Sequence, residues 1–489
     1  MKLKSITLSV LFALSAPSVM AGNFVNLTKG DGTVLTGGNG GLRNGTQNPV
    51  ADIYLIESTS ATYLSGYSNF TTGDIVASSI DYRTYNRVGT TGSNTITTGT
   101  GTLTLLDWNV TRAVDLAPGS KQADIYDFVY MDSSDNSLVF ATRYLNRQDN
   151  SQEANYLYRY NFSLTTGYAP SVAWLNSSDN DLRMYQAALT NDISFNNSVP
   201  YSTNVVRQKG DFSLSEGNPW SGLFLVKSDA KAFSIKAGTI GFAQAGEEGQ
   251  AVVRGSIAGF AATTLSTGVS ADEKTYIYGG TYGSEGTTTQ IAGSLNAQSS
   301  TTFNSDVVAA AGATVNAVAG TTITFNGEFN QQVGALLGGG GTFLFNGGYS
   351  PGNSPGSVTV DGNVVFGGGN DALFEIAGTT LGTAYDHLTV NGLLTFGGAL
   401  NVVFLNGFTA SAGQTFDLFD FTNAAGTFSS MNLATLGTGL VWNTSNLYVN
   451  GSISVDSVAV PVPEPENYAL MMLGLGVIGA MARRQKKQA

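Results

Sequence analysis

The sequence predicts an all-β protein, with a β-sandwich-like domain over residues 22–264, a degenerate β-solenoid over residues 265–460 and a short hydrophobic helix near the C-terminus. Three observations support this fold class. Charged residues make up only 12 % of the 489 residues, whereas about 25 % is usual in globular proteins. The 61 Gly residues favour short strands joined by tight turns. Hydrophobic residues make up 42 %, which is enough to build a core and excludes a disordered chain.

The N-terminal segment, residues 1–21, predicts a secretory signal peptide. Lys2 and Lys4 precede the apolar stretch Ile6–Leu14, and a short site that suits signal peptidase ends at Ala21. We therefore expect export through the Sec machinery and cleavage by signal peptidase after Ala21. The exported chain contains no cysteine, so it has neither disulfides nor thiol chemistry.

Residues 22–264 contain aromatic-rich runs separated by clusters of polar turn formers. The clearest runs are Asp124–Tyr130, Tyr156–Phe162 and Ser221–Val226. Short β-rich runs between turn signals are typical of antiparallel strands. The segment therefore predicts an antiparallel β-sandwich, with a short helix near Asp181–Leu189.

The segment 275–482 contains no Lys or Arg and repeats a short unit of the form apolar-x-apolar-Asn/Asp-Gly. The units are Ile323–Gly327, Phe343–Gly347, Val358–Gly362, Leu388–Gly392 and Leu447–Gly451. Each unit predicts a strand and a corner at which Asn or Gly supplies a positive φ. Such units stack as the successive rungs of a β-solenoid. A set of unrelated Asn-Gly hairpins is the alternative.

Two of these units extend into a longer repeat. Residues 358–368 match residues 388–398 at an offset of 30 residues, with identities that include Thr359 with Thr389 and Phe366 with Phe396. The offset predicts the length of one rung in this part of the chain.

The last 29 residues, 461–489, predict a sorting tail with an apolar segment at residues 468–482. Pro463, Glu464 and Pro465 come first, and the two prolines favour an extended, accessible backbone. The apolar segment would be about 22 Å long as a helix, which makes it a marginal span for a bilayer core of about 30 Å. A basic stop follows it, formed by Arg483, Arg484, Lys486 and Lys487. By the positive-inside rule these charges stay in the cytoplasm and everything before the tail lies outside.

This order of features resembles the PEP-CTERM sorting signal of Gram-negative bacteria. The resemblance implies recognition by an exosortase, transient insertion in the inner membrane, and delivery to the cell surface or to an exopolysaccharide-associated extracellular matrix. An ordinary C-terminal membrane anchor is the alternative. The formal net charge of −12 makes nucleic acid a poor partner, because nucleic-acid binding needs clustered positive charge.

Part of the repeat region is similar to the β-helical passengers of autotransporters. The matching segments are Ser350–Gly356, Tyr385–Gly392, Leu405–Phe408 and Gln414–Phe419. In autotransporters a translocator barrel follows the passenger, whereas here the sorting tail stands in that place. The resemblance therefore implies the architecture of the repeats.

Few residues suggest chemistry. His387 is the only histidine, so a Ser-His-Asp triad or a histidine-bearing metal site would have to use it, beside Asp386. Its counterpart in the 30-residue repeat is Ser357, which indicates an ordinary position at the start of a strand. Glu247 and Glu248 are adjacent, and in a strand they point to opposite faces. The sequence therefore predicts no catalytic residue, no cofactor and no metal site.

Clustered Asp and Asn residues leave calcium open as an alternative. The clusters are Asp124, Asp127, Asp132, Asp135 and Asn136, and Asp179, Asn180 and Asp181. Such loops can supply the oxygen ligands that Ca²⁺ requires. Asx turns at a solvated edge explain the same residues.

A sugar-binding platform is a further alternative for the first domain. Its candidate residues are Arg143, Arg147, Arg159 and Arg183, with Tyr144, Tyr156, Tyr158, Tyr160 and Trp174. Core edges with snorkelling charges explain the same composition. Three functions follow: a non-enzymatic surface or matrix protein, which we favour, a carbohydrate-binding module, and a polysaccharide-degrading enzyme. The last is disfavoured because lyase chemistry on uronates needs cationic groups, which the repeat region lacks.

Overall fold

The computed structural model describes most of the chain between residues 24 and 486. The described residues are 24–27, 42–43, 54–58, 76, 78–87, 95–116, 119, 123–146, 154–175, 183–186, 204–212, 221–244, 253–352, 355–458 and 465–486. The predicted signal peptide with Ala21, and the tail residues Pro463, Glu464 and Lys487, lie outside them. The chain forms two compact units, one of residues up to 327 with 335–343, the other of 328–334 with 344–489.

The first unit begins with strands that pair in antiparallel fashion. They are β1 (Val25–Asn26), β2 (Leu42–Arg43), β3 (Tyr54–Ser58), β4 (Ser79–Arg87), β5 (Thr95–Val114), β6 (Ala123–Asp132), β7 (Ser137–Asn146), β8 (Ala154–Tyr160), β9 (Ser171–Leu175), β10 (Arg183–Gln186), β11 (Val205–Phe212), β12 (Leu223–Lys227), β13 (Ala232–Gln244) and β14 (Val253–Ala262). The first antiparallel sheet has the order β1-β9-β12-β7-β6-β5-β4-β3. In the second antiparallel sheet β10 pairs with β2 and β11, β11 with β8, β8 with β13, and β13 with β14.

The predicted helix near Asp181–Leu189 is wrong where the structure describes it. Arg183–Gln186 forms β10, whose backbone pairs with one strand on each side. Pairing on both edges of this short segment outweighs its weak local preference for helix.

One hydrophobic core lies between the two antiparallel sheets. Phe140 and Phe224 of the first sheet share it with Leu157 and Phe242 of the second. Val139, next to Phe140, belongs to a second buried cluster on the opposite face of the first sheet. Neighbouring residues of a strand point to opposite faces, so both faces of the first sheet are buried. The predicted sandwich-like arrangement is confirmed.

A buried ion pair joins these two sheets. Asp127 of β6 and Arg159 of β8 are 2.5 Å apart, and their side chains are 3 % and 0 % exposed. The Asp127 carboxylate also accepts a hydrogen bond from the backbone N–H of Phe260. Arg159 donates further hydrogen bonds to the carbonyl oxygens of Ala141 and Phe260. The charges are therefore fully desolvated but well partnered.

After residue 262 the strands become shorter and pair mainly in parallel. They are β15 (Lys274–Tyr278), β16 (Thr281–Tyr282), β17 (Thr288–Ile291), β18 (Ser294–Ser299), β19 (Thr301–Phe303), β20 (Asp306–Ala309), β21 (Thr314–Ala317), β22 (Thr322–Phe325), β23 (Phe329–Gln331), β24 (Leu336–Gly338), β25 (Thr342–Phe345), β26 (Gly348–Pro351), β27 (Ser357–Val360), β28 (Asn363–Phe366), β29 (Asp371–Ile376), β30 (His387–Phe396), β31 (Ala399–Phe404), β32 (Thr415–Asp417), β33 (Phe419–Gly426), β34 (Ser430–Leu433), β35 (Leu440–Asn443) and β36 (Ser452–Ser457). The described helices are α1 (Leu447–Asn450) and α2 (Pro465–Gln485).

The parallel strands of the first unit form three stacks. One contains β15, β18, β21 and β24, the second β16, β19 and β22, and the third β17 and β20. Thr275 lies opposite Leu295, which lies opposite Val315, so each rung spans 20 residues here. Burial alternates along most of these strands, with aromatic side chains stacked inside and Asn side chains hydrogen-bonded from rung to rung. This is the arrangement of a β-solenoid.

The second unit also contains parallel stacks, with longer rungs. Val358 lies opposite Leu388, and Val360 lies opposite Val390, so the 30-residue repeat in the sequence is one rung. β30 pairs in turn with β33, and β26, β29, β31 and β34 form a second stack. A small antiparallel sheet of β32, β36 and β35 follows. The division into compact units does not test the predicted boundary at residue 264, which stays a prediction.

Two expectations about the repeated Asn/Asp-Gly units are wrong. Gly327 and Gly392 do not have a positive φ. Instead, a Cβ at Gly327 would lie 2.5 Å from the carbonyl oxygen of Ser305, and one at Gly392 would collide with Gly362. These glycines are required because the adjacent rung approaches closely. The unit Leu447–Gly451 is not a strand but the helical turn α1, which ends at Gly451 in the left-handed conformation.

Candidate functional site

A pocket of about 210 Å³ lies in the second antiparallel sheet. Tyr158 and Tyr160 of β8, Phe242 of β13 and Arg254 of β14 line it, together with small residues of β13 and β14. The two tyrosine rings are stacked, with centroids 6.4 Å apart. The Nε and Nη2 atoms of Arg254 are buried and have no hydrogen-bond partner among the described residues. Burial raises the pKa of Tyr158 to about 12, so its hydroxyl stays a neutral donor at physiological pH.

Such a pocket suits a ligand that is partly apolar and carries an anionic group. Aromatic side chains provide apolar contact area, and a guanidinium group recognises carboxylate or phosphate through paired N–H donors. The glycines of the pocket keep its rings accessible to each other, since a Cβ at Gly255 would collide with the Phe242 ring. The arrangement can therefore bind an acidic saccharide.

The structure does not gather the predicted sugar-binding residues on one surface. Trp174 and Tyr144 lie in the core between the sheets, and Arg159 is held by Asp127. Arg143 is 2 % exposed and donates a hydrogen bond to the carbonyl oxygen of Ser221. The remaining predicted residues of this set either line or adjoin the pocket or lie beyond the description: Tyr156, Tyr158 and Tyr160 cluster together, the side chain of Arg183 is not described, and Arg147 is outside the described residues.

Arg254 is the pocket residue that the sequence analysis missed. It lies 94 residues after Tyr160, and it reaches the pocket only because β13 pairs with β8 on one edge and with β14 on the other. No local pattern marks this residue. The alternation of aromatic and small residues in Phe242 and Gly255 was the available signal.

The acidic cluster of β6 and the following turn is neutralised by protein groups. Lys227 lies 2.7 Å from both Asp132 and Asp135. Burial alone would raise the pKa of Asp135, but hydrogen bonds from Lys227 and Ser137 lower it below its ordinary value. Asp132 and Asp135 also accept hydrogen bonds from backbone N–H groups two residues ahead, which is the Asx turn. These carboxylates are therefore not held for calcium, whereas Asp179, Asn180 and Asp181, like Glu247 and Glu248, lie outside the described residues.

His387 begins β30 and lies opposite Ser357, as the repeat predicts. Its side chain is 3 % exposed, and its Nδ1 atom lies 3.1 Å from the Ser357 hydroxyl. The neighbouring Asp386 does not form a triad with it. The Asp386 carboxylate instead accepts hydrogen bonds from the backbone N–H groups of Gly356 and Glu375, and burial raises its pKa to about 7. The carboxylate near the imidazole is that of Asp420.

The C-terminal tail forms the helix α2, as the apolar segment predicts. Its apolar side chains are exposed, with Leu470 at 68 %, Met472 at 71 % and Ile478 at 66 %. Arg483 and Arg484 occupy the last turn, where positive charge complements the helix dipole. Pro465 was expected to be extended, but it is the first residue of α2. Proline is well suited to this position because its missing N–H would have no partner there.

Residues 461–487 match the family model of the PEP-CTERM protein-sorting motif. The match implies an exported protein that an exosortase processes. It covers the predicted sorting residues Pro463, Glu464 and Pro465 and the basic stop Arg483, Arg484, Lys486 and Lys487. No curated protein and no solved structure matches the chain.

In the described part of the chain, no helix combines the length and the hydropathy of a membrane span. Transient insertion of the PEP-CTERM tail in the inner membrane stays a prediction.

Proposed function

We propose that this chain is a non-enzymatic protein of the cell surface or the extracellular matrix. The observation that carries the proposal is the PEP-CTERM motif at residues 461–487, which coincides with an apolar helix whose last turn is basic. The stacked parallel strands before the tail supply an extended structure in which each rung supports its neighbours. The likeness to autotransporter passengers belongs to this proposal as a likeness of stalk architecture only.

The proposed pathway uses each end of the chain once. The Sec machinery and signal peptidase act on residues 1–21, and an exosortase in the inner membrane of a Gram-negative bacterium acts at Pro463–Pro465. The basic stop holds the far end of the tail in the cytoplasm until processing. The acidic body then joins an exopolysaccharide matrix, such as that of a biofilm.

Removing the tail tests the pathway. A chain lacking residues 462–489 is expected to fold normally but to be released or mislocalised, because it has no segment for the exosortase to recognise. Replacing Pro463, Glu464 and Pro465 by Ala keeps the apolar segment, and this variant is expected to accumulate uncut in the membrane fraction. Cell fractionation with immunoblotting and mass spectrometry of the C-terminus measure both effects.

A matched control changes Ser457 and Val458 to Ala, immediately upstream of the motif. This control is expected to be placed and processed like the natural chain. Identical fractionation of the natural chain, the deletion and the triple variant would contradict the proposal.

The pocket at Arg254 favours a second candidate function, the binding of an acidic polysaccharide. Arg254→Gln is expected to weaken binding to immobilised uronate-containing polymers by about 10- to 100-fold, because a hydrogen bond to a charged group contributes about 1.5–3 kcal/mol. The measurement is surface plasmon resonance on purified protein, with circular dichroism to confirm folding. Trp174 is unsuitable for this test because it lies in the core.

Arg112→Gln is the control for the loss of one positive charge, since the Arg112 side chain is 54 % exposed and pairs with Asp124. It is expected to leave polymer binding unchanged. Equal loss in both variants would indicate a general charge effect, and no loss with Arg254→Gln would exclude the pocket.

A further inference from the structure

We propose that His387, Asp417 and Asp420 bind one divalent transition-metal ion, with Zn²⁺ as the best-fitting ion. The three residues come from three consecutive strands of the second unit: His387 from β30, Asp417 from the end of β32 and Asp420 from β33. One ligand atom of each lies within 4.8 Å of the other two. The site involves neither the sorting tail nor the Arg254 pocket.

The imidazole presents a donor atom that the protein does not use. His387 is 3 % exposed, yet its Nε2 atom has no hydrogen-bond partner among the described residues. The same is true of the buried Oδ1 atom of Asp417. Buried polar atoms without partners are rare because each costs about 1–3 kcal/mol. Two of them in one cluster indicate a missing ligand.

The spacing fits a metal ion. The Nε2 atom of His387 and the Oδ2 atom of Asp420 are 3.4 Å apart. Two ligands of a tetrahedral Zn²⁺ ion, each at about 2.1 Å, lie about 3.4 Å from each other. Three protein ligands would leave a fourth position for water or for a group of another molecule.

The surroundings orient the imidazole as metal sites require. The Nδ1 atom of His387 lies 3.1 Å from the Oγ atom of Ser357. With the proton on Nδ1, this N–H donates to Ser357 and the lone pair of Nε2 faces the two carboxylates. The backbone N–H of Asp417 donates to the hydroxyl of Tyr385, which fixes the second ligand.

The charge balance calls for a cation. Two carboxylates approach the site, and the segment 275–482 that contains it has no Lys or Arg. One nitrogen and two oxygen ligands suit Zn²⁺, Co²⁺ or Mn²⁺, whereas Ca²⁺ prefers oxygen ligands alone. The competing explanation is an ion pair between protonated His387 and Asp420, which needs no metal.

The test is a titration of the full chain, stripped of metal by a chelator, with Zn²⁺ in a calorimeter and with Co²⁺ by visible absorption. We expect one saturable site and a rise of the melting temperature in Zn²⁺. Asp420→Asn is expected to reduce Zn²⁺ affinity at least 100-fold, and Ser357→Ala about 10- to 100-fold through loss of the orienting contact. Asp361→Asn removes one exposed carboxylate from the same unit and is expected to leave the affinity unchanged.

Asp420→Asn is the decisive variant because the Asp420 side chain is 59 % exposed and its replacement leaves the core intact. His387→Gln adds support if it folds. The proposal is overturned if no saturable site is found, if Asp420→Asn binds Zn²⁺ as the natural chain does, or if Ca²⁺ binds more tightly than Zn²⁺. An ion pair alone would appear as lower stability of Asp420→Asn with no effect of Zn²⁺, which also overturns it.

Discussion

Replacing Asp127 by Ala is expected to lower the free energy of unfolding of the first unit by about 3–5 kcal/mol. The reason is the partner that remains. Arg159 is 0 % exposed, and without Asp127 its charge stays buried between the two sheets with only neutral acceptors. Chemical denaturation followed by tryptophan fluorescence measures the change, because Trp174 lies in the adjoining core.

The double variant Asp127→Leu with Arg159→Met removes both charges. It is expected to recover most of the loss, since well-packed apolar residues can replace a buried ion pair at little cost. Arg112→Ala, which breaks a half-exposed ion pair, is expected to cost less than about 1 kcal/mol. If Asp127→Ala were as mild as Arg112→Ala, the pair would not hold the sheets together.

Replacing Gly392 by Ala is expected to destabilise the second unit by about 1–3 kcal/mol, as overpacking usually does. The added methyl group would collide with the carbonyl oxygen of Gly362 in the adjacent rung, so the rungs must separate locally. The shift in the denaturation midpoint, measured by circular dichroism of the β signal, reports the change.

Gly368→Ala is the matched control. Its φ is not in the left-handed region, and a Cβ there would meet nothing within 4 Å. It is expected to be neutral or slightly stabilising, because Ala restricts the unfolded chain more than Gly does. Equal destabilisation by both variants would show that the Asn-Gly units need backbone flexibility and not the close approach of rungs.

The fold was predictable where the pattern is local and periodic. The repeat of residues 358–368 at 388–398 gave the register of β27 on β30 without error. The role of the glycines was not predictable, because Gly327 and Gly392 are constrained by a neighbouring rung and not by their own φ. Leu447–Gly451 has the same pattern as the strands, yet it forms α1, since a pattern of five residues does not distinguish a strand from a helical turn.

The sites divide in the same way. The sorting tail is contiguous, so its order of residues was enough to identify it. Arg254, in contrast, meets Tyr160 only through strand pairing, and Lys227 reaches Asp135 across 92 residues. The cluster at His387 had a usable signal that was not followed: one more rung beyond Ser357 and His387 leads to Asp417 and Asp420.

The long stretch without Lys or Arg has a consequence for how the protein survives outside the cell. Trypsin-like proteases cut after these two residues, and between Lys274 and Arg483 they find no such bond. Backbone ladders in the stacked strands hinder cleavage by other proteases, which need an extended and unpaired substrate. The segment should therefore outlast its neighbours in protease-rich surroundings, and peptide mapping of it requires an enzyme that cuts at Asp.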